Sequence, residues 1–156
     1  MYPYPRLAKG DPKRAGTVGC RAARRAFPRS GENATVFGAG TIGIAPAIAL
    51  RYFGCEKVMV CDRSDFRLEK AKDLGFAVCN NSTDDLRQAA VQKFGEAFSA
   101  LGATADVDIY IDAAGADGLI ELYQSMEKVD SRMVVVAVKI GLRPIDVLAM
   151  TYGQHL

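Results

Sequence analysis

The residues best placed to do chemistry are three glycines and one acid. Gly38-Ala39-Gly40-Thr41-Ile42-Gly43 fits the pattern G-x-G-x-x-G, and Asp62 follows 19 residues after the last glycine. The chemistry of such a set is anion recognition. A first glycine permits a sharp turn out of a strand, a second lets the backbone approach a pyrophosphate, and a third lets the following helix press against the sheet. The helix then points unpaired N–H groups and the positive end of its dipole at the phosphates. An acid ending the next strand accepts hydrogen bonds from both hydroxyls of an adenosine ribose and repels a 2′-phosphate. Gly38, Gly40, Thr41, Ile42, Gly43 and Asp62 are therefore candidate dinucleotide-binding residues, and Asp62 argues for NAD over NADP. The competing reading is a glycine-rich turn without ligand, with Asp62 capping the next helix.

Two arginines flank the acid. Arg63 reads either as a phosphate contact or as a solvated side chain. Arg67, one helical turn on, could lay its stem over the adenosine and reach a ribose oxygen, or stand free in solvent. No metal site is expected. The four cysteines, at 20, 55, 61 and 79, form no C-x-x-C pair, and the single histidine, His155, has no cysteine partner. Cys55 and Cys61 bracket an apolar run and read as small core residues.

These residues need elements to position them. Ala34–Phe37 reads as a strand entering the glycine turn, followed by helical spacing through Ile44, Ile48 and Leu50 that stops at Gly54. Pro46 should shorten or kink that helix. Residues 57–61 (KVMVC) read as a buried parallel strand ending in Asp62, and Ser64 starts a helix through Leu68, Ala71 and Leu74 that stops at Gly75. A short strand at Ala77–Cys79 follows. Ser82 and Asp85 form a capping-box pattern before a helix expected to reach Ala100. Val107–Ile111 is a strand, Leu119, Leu122, Tyr123 and Met126 stripe a helix, and residues 133–138 (MVVVAV) form the most β-prone run. This alternation predicts an α/β fold, a Rossmann-type doubly wound parallel sheet of about five strands in three αβα layers. Residues 31–156 form the dinucleotide-binding domain, residues 17–30 a lead-in helix or linker docking through Ala22, Ala23 and Phe27, and residues 1–16 a disordered or loosely packed basic extension.

Charge is unevenly spread. Residues 1–30 carry eight Lys or Arg and one acid, a net +7, against −5 for residues 31–156. A basic arm on an acidic body is compatible with a nucleic-acid contact, but without interleaved aromatics a loosely packed extension is favoured. Residues 34–50 are uncharged for 17 positions, yet three glycines and Pro46 interrupt them, so a strand, turn and buried helix are expected rather than a membrane span. The start shows no secretory leader, which makes the cytoplasm the default compartment.

The segments GENATVFGAGTIG, VMVCDRSDFRLEKAKDLGF, VDIYIDAAG and RMVVVAV, in this order and spacing, resemble the coenzyme-binding domain of the medium-chain, zinc-dependent alcohol dehydrogenases. The resemblance runs from about Gly31 to about Tyr152. It implies that the loop at Ala113, Ala114 and Gly115 passes the cofactor and that Val136 to Val138 is the backbone segment holding a nicotinamide amide. It adds Ala114, Gly115, Val136 and Val138 to the candidate cofactor-binding set. The zinc-ligand set of the family's N-terminal domain is not found, and the chain reads as truncated before the last strand, leaving a sheet edge that could pair with a second copy. The function implied is NAD binding within an alcohol or polyol dehydrogenase, the chain alone being inactive. The alternatives are a non-catalytic NAD-sensing protein and an S-adenosylmethionine-dependent methyltransferase.

Overall fold

The computed structural model describes residues 12–99, 102–138, 141–142 and 144–147. Its centre is a parallel sheet whose strands are hydrophobic from end to end. β1 (Asn33–Phe37) is buried at all five positions, β2 (Lys57–Asp62) at its four central ones, and β6 (Ile109–Asp112) throughout. Continuous burial is what a strand covered on both faces requires. With β3 (Ala77–Asn80) and β7 (Arg132–Val135) these form one five-stranded sheet in the order β3-β2-β1-β6-β7, every neighbouring pair parallel. The order reverses between β1 and β6, which sets the ends of those two strands side by side at a crevice.

Among the described residues, five helices cover the two faces. On one, Val36, Val60, Ile109 and Ile111 meet Ala23 of α1 (Pro12–Arg25), Ala47 and Leu50 of α2 (Thr41–Tyr52), and Leu68 and Ala71 of α3 (Asp65–Asp73). On the other, Phe37, Met59, Cys61 and Tyr110 meet Leu86, Ala90 and Phe94 of α4 (Leu86–Phe94) and Leu119, Tyr123 and Met126 of α5 (Leu119–Met126). The expected three-layer αβα arrangement is thus present. Tyr110 anchors the second face: its ring lies 5.0 Å from that of Tyr123, edge to face, and its hydroxyl donates to the Met126 carbonyl at 3.3 Å.

Several boundaries differ from expectation. The lead-in helix begins at Pro12, so residues 12–16 belong to it and not to a loose extension; proline is well suited to a first helical turn. Residues 1–11 lie outside the described residues. Ala22 and Ala23 are buried as expected, but Phe27 is 74 % exposed, and the buried contact is Ala26. The reason is backbone: Phe27 sits past the helix end at φ +47, which turns it off the docking face. Pro46 is buried inside α2, which runs through it as one helix.

The helix expected to reach Ala100 stops at Phe94. Gly95, at φ +97, ends it, and β4 (Glu96–Ser99) then pairs antiparallel with β5 (Gly102–Ala105) in a hairpin. Its cap is Asp85 alone, whose Oδ1 accepts from the Gln88 N–H at 3.0 Å. The last sheet strand is shorter than residues 133–138, because after Val135 the N–H groups of Val136 and Ala137 both turn to the Asp112 carbonyl. Among the described residues no helix is long and apolar enough to cross a membrane.

Candidate functional site

The glycine turn closes on itself by contact. A Cβ on Gly43 would lie 1.7 Å from the Gly38 carbonyl oxygen, so only glycine lets α2 begin this close to the turn. Gly38 has φ +102, and a Cβ there would press on the Ala113–Ala114 backbone at 3.1 Å. Gly40 is different: a Cβ there would meet nothing within 4 Å. Packing does not demand this glycine, and the room beside it is open to an incoming group. Above it lies the start of α2, whose N-cap is Gly40 without a side-chain cap. Among the described residues, the N–H groups of Thr41 and Ile42 donate to no acceptor. The turn thus offers backbone donors, a helix dipole and free space, which together suit a diphosphate.

Asp62 stands at the C-terminal end of β2 beside this turn. Its Oδ2 accepts from the Ala39 N–H at 2.7 Å and its Oδ1 from the Ser64 N–H at 2.9 Å. Arg67 Nη1 lies 3.7 Å from Oδ2. Burial by itself would raise the pKa, but the N–H groups of Ala39, Ser64 and Arg63 and the Arg67 guanidinium outweigh it and hold the carboxyl below its ordinary value. The group is therefore a carboxylate at neutral pH, and its two backbone bonds leave further lone pairs for a ligand's hydroxyls.

A cleft of about 360 Å³ opens where these parts meet, a size at the lower end of small-molecule sites. Of the sequence-predicted residues, Gly38, Gly40, Asp62, Arg63, Arg67 and Ala114 line it. Gly43 lies beneath the turn, and Thr41 and Ile42 form the first turn of α2 with both side chains exposed. Gly115 (φ +69) sits behind the Ala114 loop, where a Cβ would approach that of Ala137 to 3.0 Å. Val136 packs partly buried against the core and Val138 is 92 % exposed, neither lining this cleft. His155 lies outside the described residues.

The contributors missed by sequence reasoning include Ala39, Cys61, Asn81 and Asp112. Ala39 acts through its N–H alone, which leaves no mark on its identity. Cys61 is buried against the cleft, its thiol pushed up by a hydrogen bond with Cys79 on β3 and by burial, so it presents a neutral surface. Asp112 ends an apolar strand just as Asp62 does, and that likeness was a usable signal. Its Oδ1 accepts from the N–H groups of Ala114 (3.1 Å) and Gly115 (2.8 Å), shaping the loop opposite the glycine turn. For a metal the residues do not fit: among the described residues no group of three or more His, Cys, Asp or Glu could hold one.

Comparison with known proteins gives a consistent neighbourhood. The family profile described as "Zinc-binding dehydrogenase" matches residues 41–154. Sorbitol dehydrogenase 1 of Saccharomyces cerevisiae is 31 % identical over 120 residues, which is 77 % of this chain and 33 % of that protein. The chain spans about a third of the length of such curated relatives. Among solved structures, a short-chain alcohol dehydrogenase of E. coli CFT073 complexed with NADH superposes with a TM-score of 0.76 at 23 % identity, covering 90 % of this chain and 39 % of that one. A protein of zinc-binding dehydrogenase type from Sinorhizobium meliloti 1021, bound to NADP, superposes at 0.70 with 18 % identity, covering 89 % and 40 %.

Proposed function

The chain belongs to the zinc-binding dehydrogenase family, and we propose that it forms the part of such an enzyme that binds a nicotinamide dinucleotide, NAD in preference to NADP. The observation that carries this reading is the open space at Gly40 beside the Asp62 carboxylate, with the unpaired N–H groups of the α2 start between them. The diphosphate would lie over Gly38, Gly40, Thr41 and Ile42, with Gly43 holding the helix close enough for those N–H groups to reach it. Asp62 would accept from the ribose hydroxyls, with Arg67 steering beside it and Arg63 over the adenosine. The loop Ala113–Gly115 would pass the cofactor, and the Val136 to Val138 backbone would hold the nicotinamide amide.

The bound nicotinamide would accept or supply a hydride at an alcohol or polyol carbon of the substrate. The described residues would orient that group, and among them no group of three or more His, Cys, Asp or Glu could hold a metal. Substrate choice accordingly belongs to other parts of a complete enzyme. A soluble NAD sensor would use the same cleft, but family membership favours the dehydrogenase reading, and it also displaces the methyltransferase reading.

The test is fluorescence titration of the 156-residue chain with NADH and with NADPH. NADH should bind measurably and more tightly than NADPH. In Asp62→Ser the preference should narrow about tenfold or more, since a charge repulsion and charge-assisted hydrogen bonds are both removed. Absence of any NADH binding up to millimolar concentration sinks the proposal. Equal binding of NADH and NADPH by the wild type would sink only the NAD preference, leaving Arg63 as the dominant charge.

A further inference from the structure

The loop between β3 and α4 has no role in the function so far. Two asparagines at its start, Asn80 ending β3 and Asn81 opening the loop, behave oppositely. Asn80 is fully engaged: its Oδ1 accepts from the Ser82 N–H (3.0 Å) and hydroxyl (2.6 Å), and its Nδ2 donates to Asp65 Oδ1 at 2.6 Å. Its N–H donates in turn to Asp84 Oδ2. These bonds fix the loop. Asn81 is held only by its backbone, its N–H donating to the Asp62 carbonyl at 3.2 Å. Asn81 lines the same cleft as Asp62 and Arg63, and its Oδ1 is buried without a hydrogen-bond partner.

A buried amide oxygen without a donor lowers stability, so its retention asks for a compensating role. The location suggests one. Asp62 is the residue proposed to hold the adenosine ribose, and the base is joined to that same ribose. A residue tied to the Asp62 backbone therefore stands where the base must come to rest. An asparagine amide pairs one acceptor and two donors side by side, which matches the amine and adjacent ring nitrogen on an edge of adenine. Because the oxygen bonds to nothing in the free chain, turning it into the cleft breaks no hydrogen bond. The exposed Arg63, next to Asp62, is placed to stack its guanidinium on the base plane.

We propose that Asn81 reads the adenine of the bound dinucleotide, its side-chain oxygen accepting from the exocyclic amine and its amide donating to the adjacent N7, an edge that in hypoxanthine carries two acceptors. This rests on the dinucleotide reading above and adds base selectivity to it. The experiment compares NADH with reduced nicotinamide hypoxanthine dinucleotide, in which a carbonyl oxygen replaces the amine. The wild-type chain should bind the hypoxanthine analogue about tenfold more weakly, because its oxygen faces another oxygen. Asn81→Leu, similar in size and without an acceptor, should weaken NADH about tenfold and leave the analogue nearly unchanged, so that the two converge. The unliganded Leu variant should melt no lower than wild type, since it loses an unsatisfied group, whereas a purely structural asparagine would cost stability when removed. Asn81→Asp keeps the acceptor and should keep the preference for the amine. Equal binding of the two dinucleotides by wild type, or an undiminished preference in Asn81→Leu, overturns the inference while the dinucleotide reading stands. Failure of wild type to bind NADH at all overturns both.

Discussion

Gly43 and Gly40 belong to one motif for different reasons, and substitution separates them. At Gly43 a methyl group would collide with the Gly38 carbonyl at 1.7 Å, so Gly43→Ala must push α2 off the turn. The expected cost is about 2 kcal/mol, a drop of roughly 4–8 °C in melting temperature for a chain this size, with NADH binding lost as well. At Gly40 the space is empty, so Gly40→Ala should leave melting nearly unchanged and weaken NADH by obstructing the diphosphate. Paired melting curves and NADH titrations check both; equal destabilisation by the two substitutions would contradict the assignment. Asp62 adds a pH statement. Its folded-state pKa lies below the ordinary carboxylate value, so its contribution is complete above that value and is lost as pH falls through the folded one. The preference for NADH over NADPH should therefore hold from neutral pH to about pH 5, as read by titration across that range.

At the scale of elements, α1 docks on α2 at very close range. A Cβ on Gly19 would lie 2.3 Å from that of Ala45 and 2.7 Å from the Pro46 nitrogen, so the two helices meet almost backbone to backbone. Ala22, Ala23 and Ala26 continue this small-residue face. Gly19→Val should force the helices apart and lower stability by about 2–3 kcal/mol, measured by thermal or urea melting. A chain beginning at Ser30, without α1, should melt well below the full chain. Helix α4 depends on a lighter contact: Asp85→Ala, which removes the bond to the Gln88 N–H, should cost about 1 kcal/mol.

Across the whole molecule, the cleft sits at one end of the sheet and a charged clasp at the other. Arg132 Nη2 meets Glu32 Oε2 at 2.6 Å across 100 residues of sequence, joining the starts of β1 and β7. Lys128 bridges Asp106 and Asp108, and the Asp108 carboxylate also accepts from the Asn33 N–H. Arg132→Met should leave the largely buried Glu32 carboxylate only its bond from the Arg29 N–H and cost about 2 kcal/mol, seen in melting, with NADH affinity unaffected because the cleft is remote. Burial alone would lower the Lys128 pKa, but its two carboxylate partners raise it above the ordinary lysine value. Its stabilising contribution is thus complete below that value and is lost as pH rises through the folded one. Melting temperature should fall in the alkaline range above about pH 10.5 and fall less in Lys128→Met.

Sequence alone marked which segments become the sheet strands, where the glycine turn falls and that Asp62 ends the second strand, because these depend on local rules: apolar runs make buried strands, and a turn this tight against a helix tolerates only glycine. Tertiary structure decided what local rules do not encode. The helix expected to reach Ala100 was broken by Gly95 and replaced by a hairpin, since a single left-handed glycine outweighs a weak helical period. Phe27 and Ala26 exchanged roles because one backbone dihedral at the helix end redirected a side chain. The cleft itself was assembled from groups spread between Phe37 and Leu119, and its contributions from the Ala39 N–H, the Asp112 carboxylate and the Asn81 oxygen depend on atoms whose partners chain proximity does not name. Hydrogen bonds between distant segments follow from register and strand order, and only the folded sheet sets these.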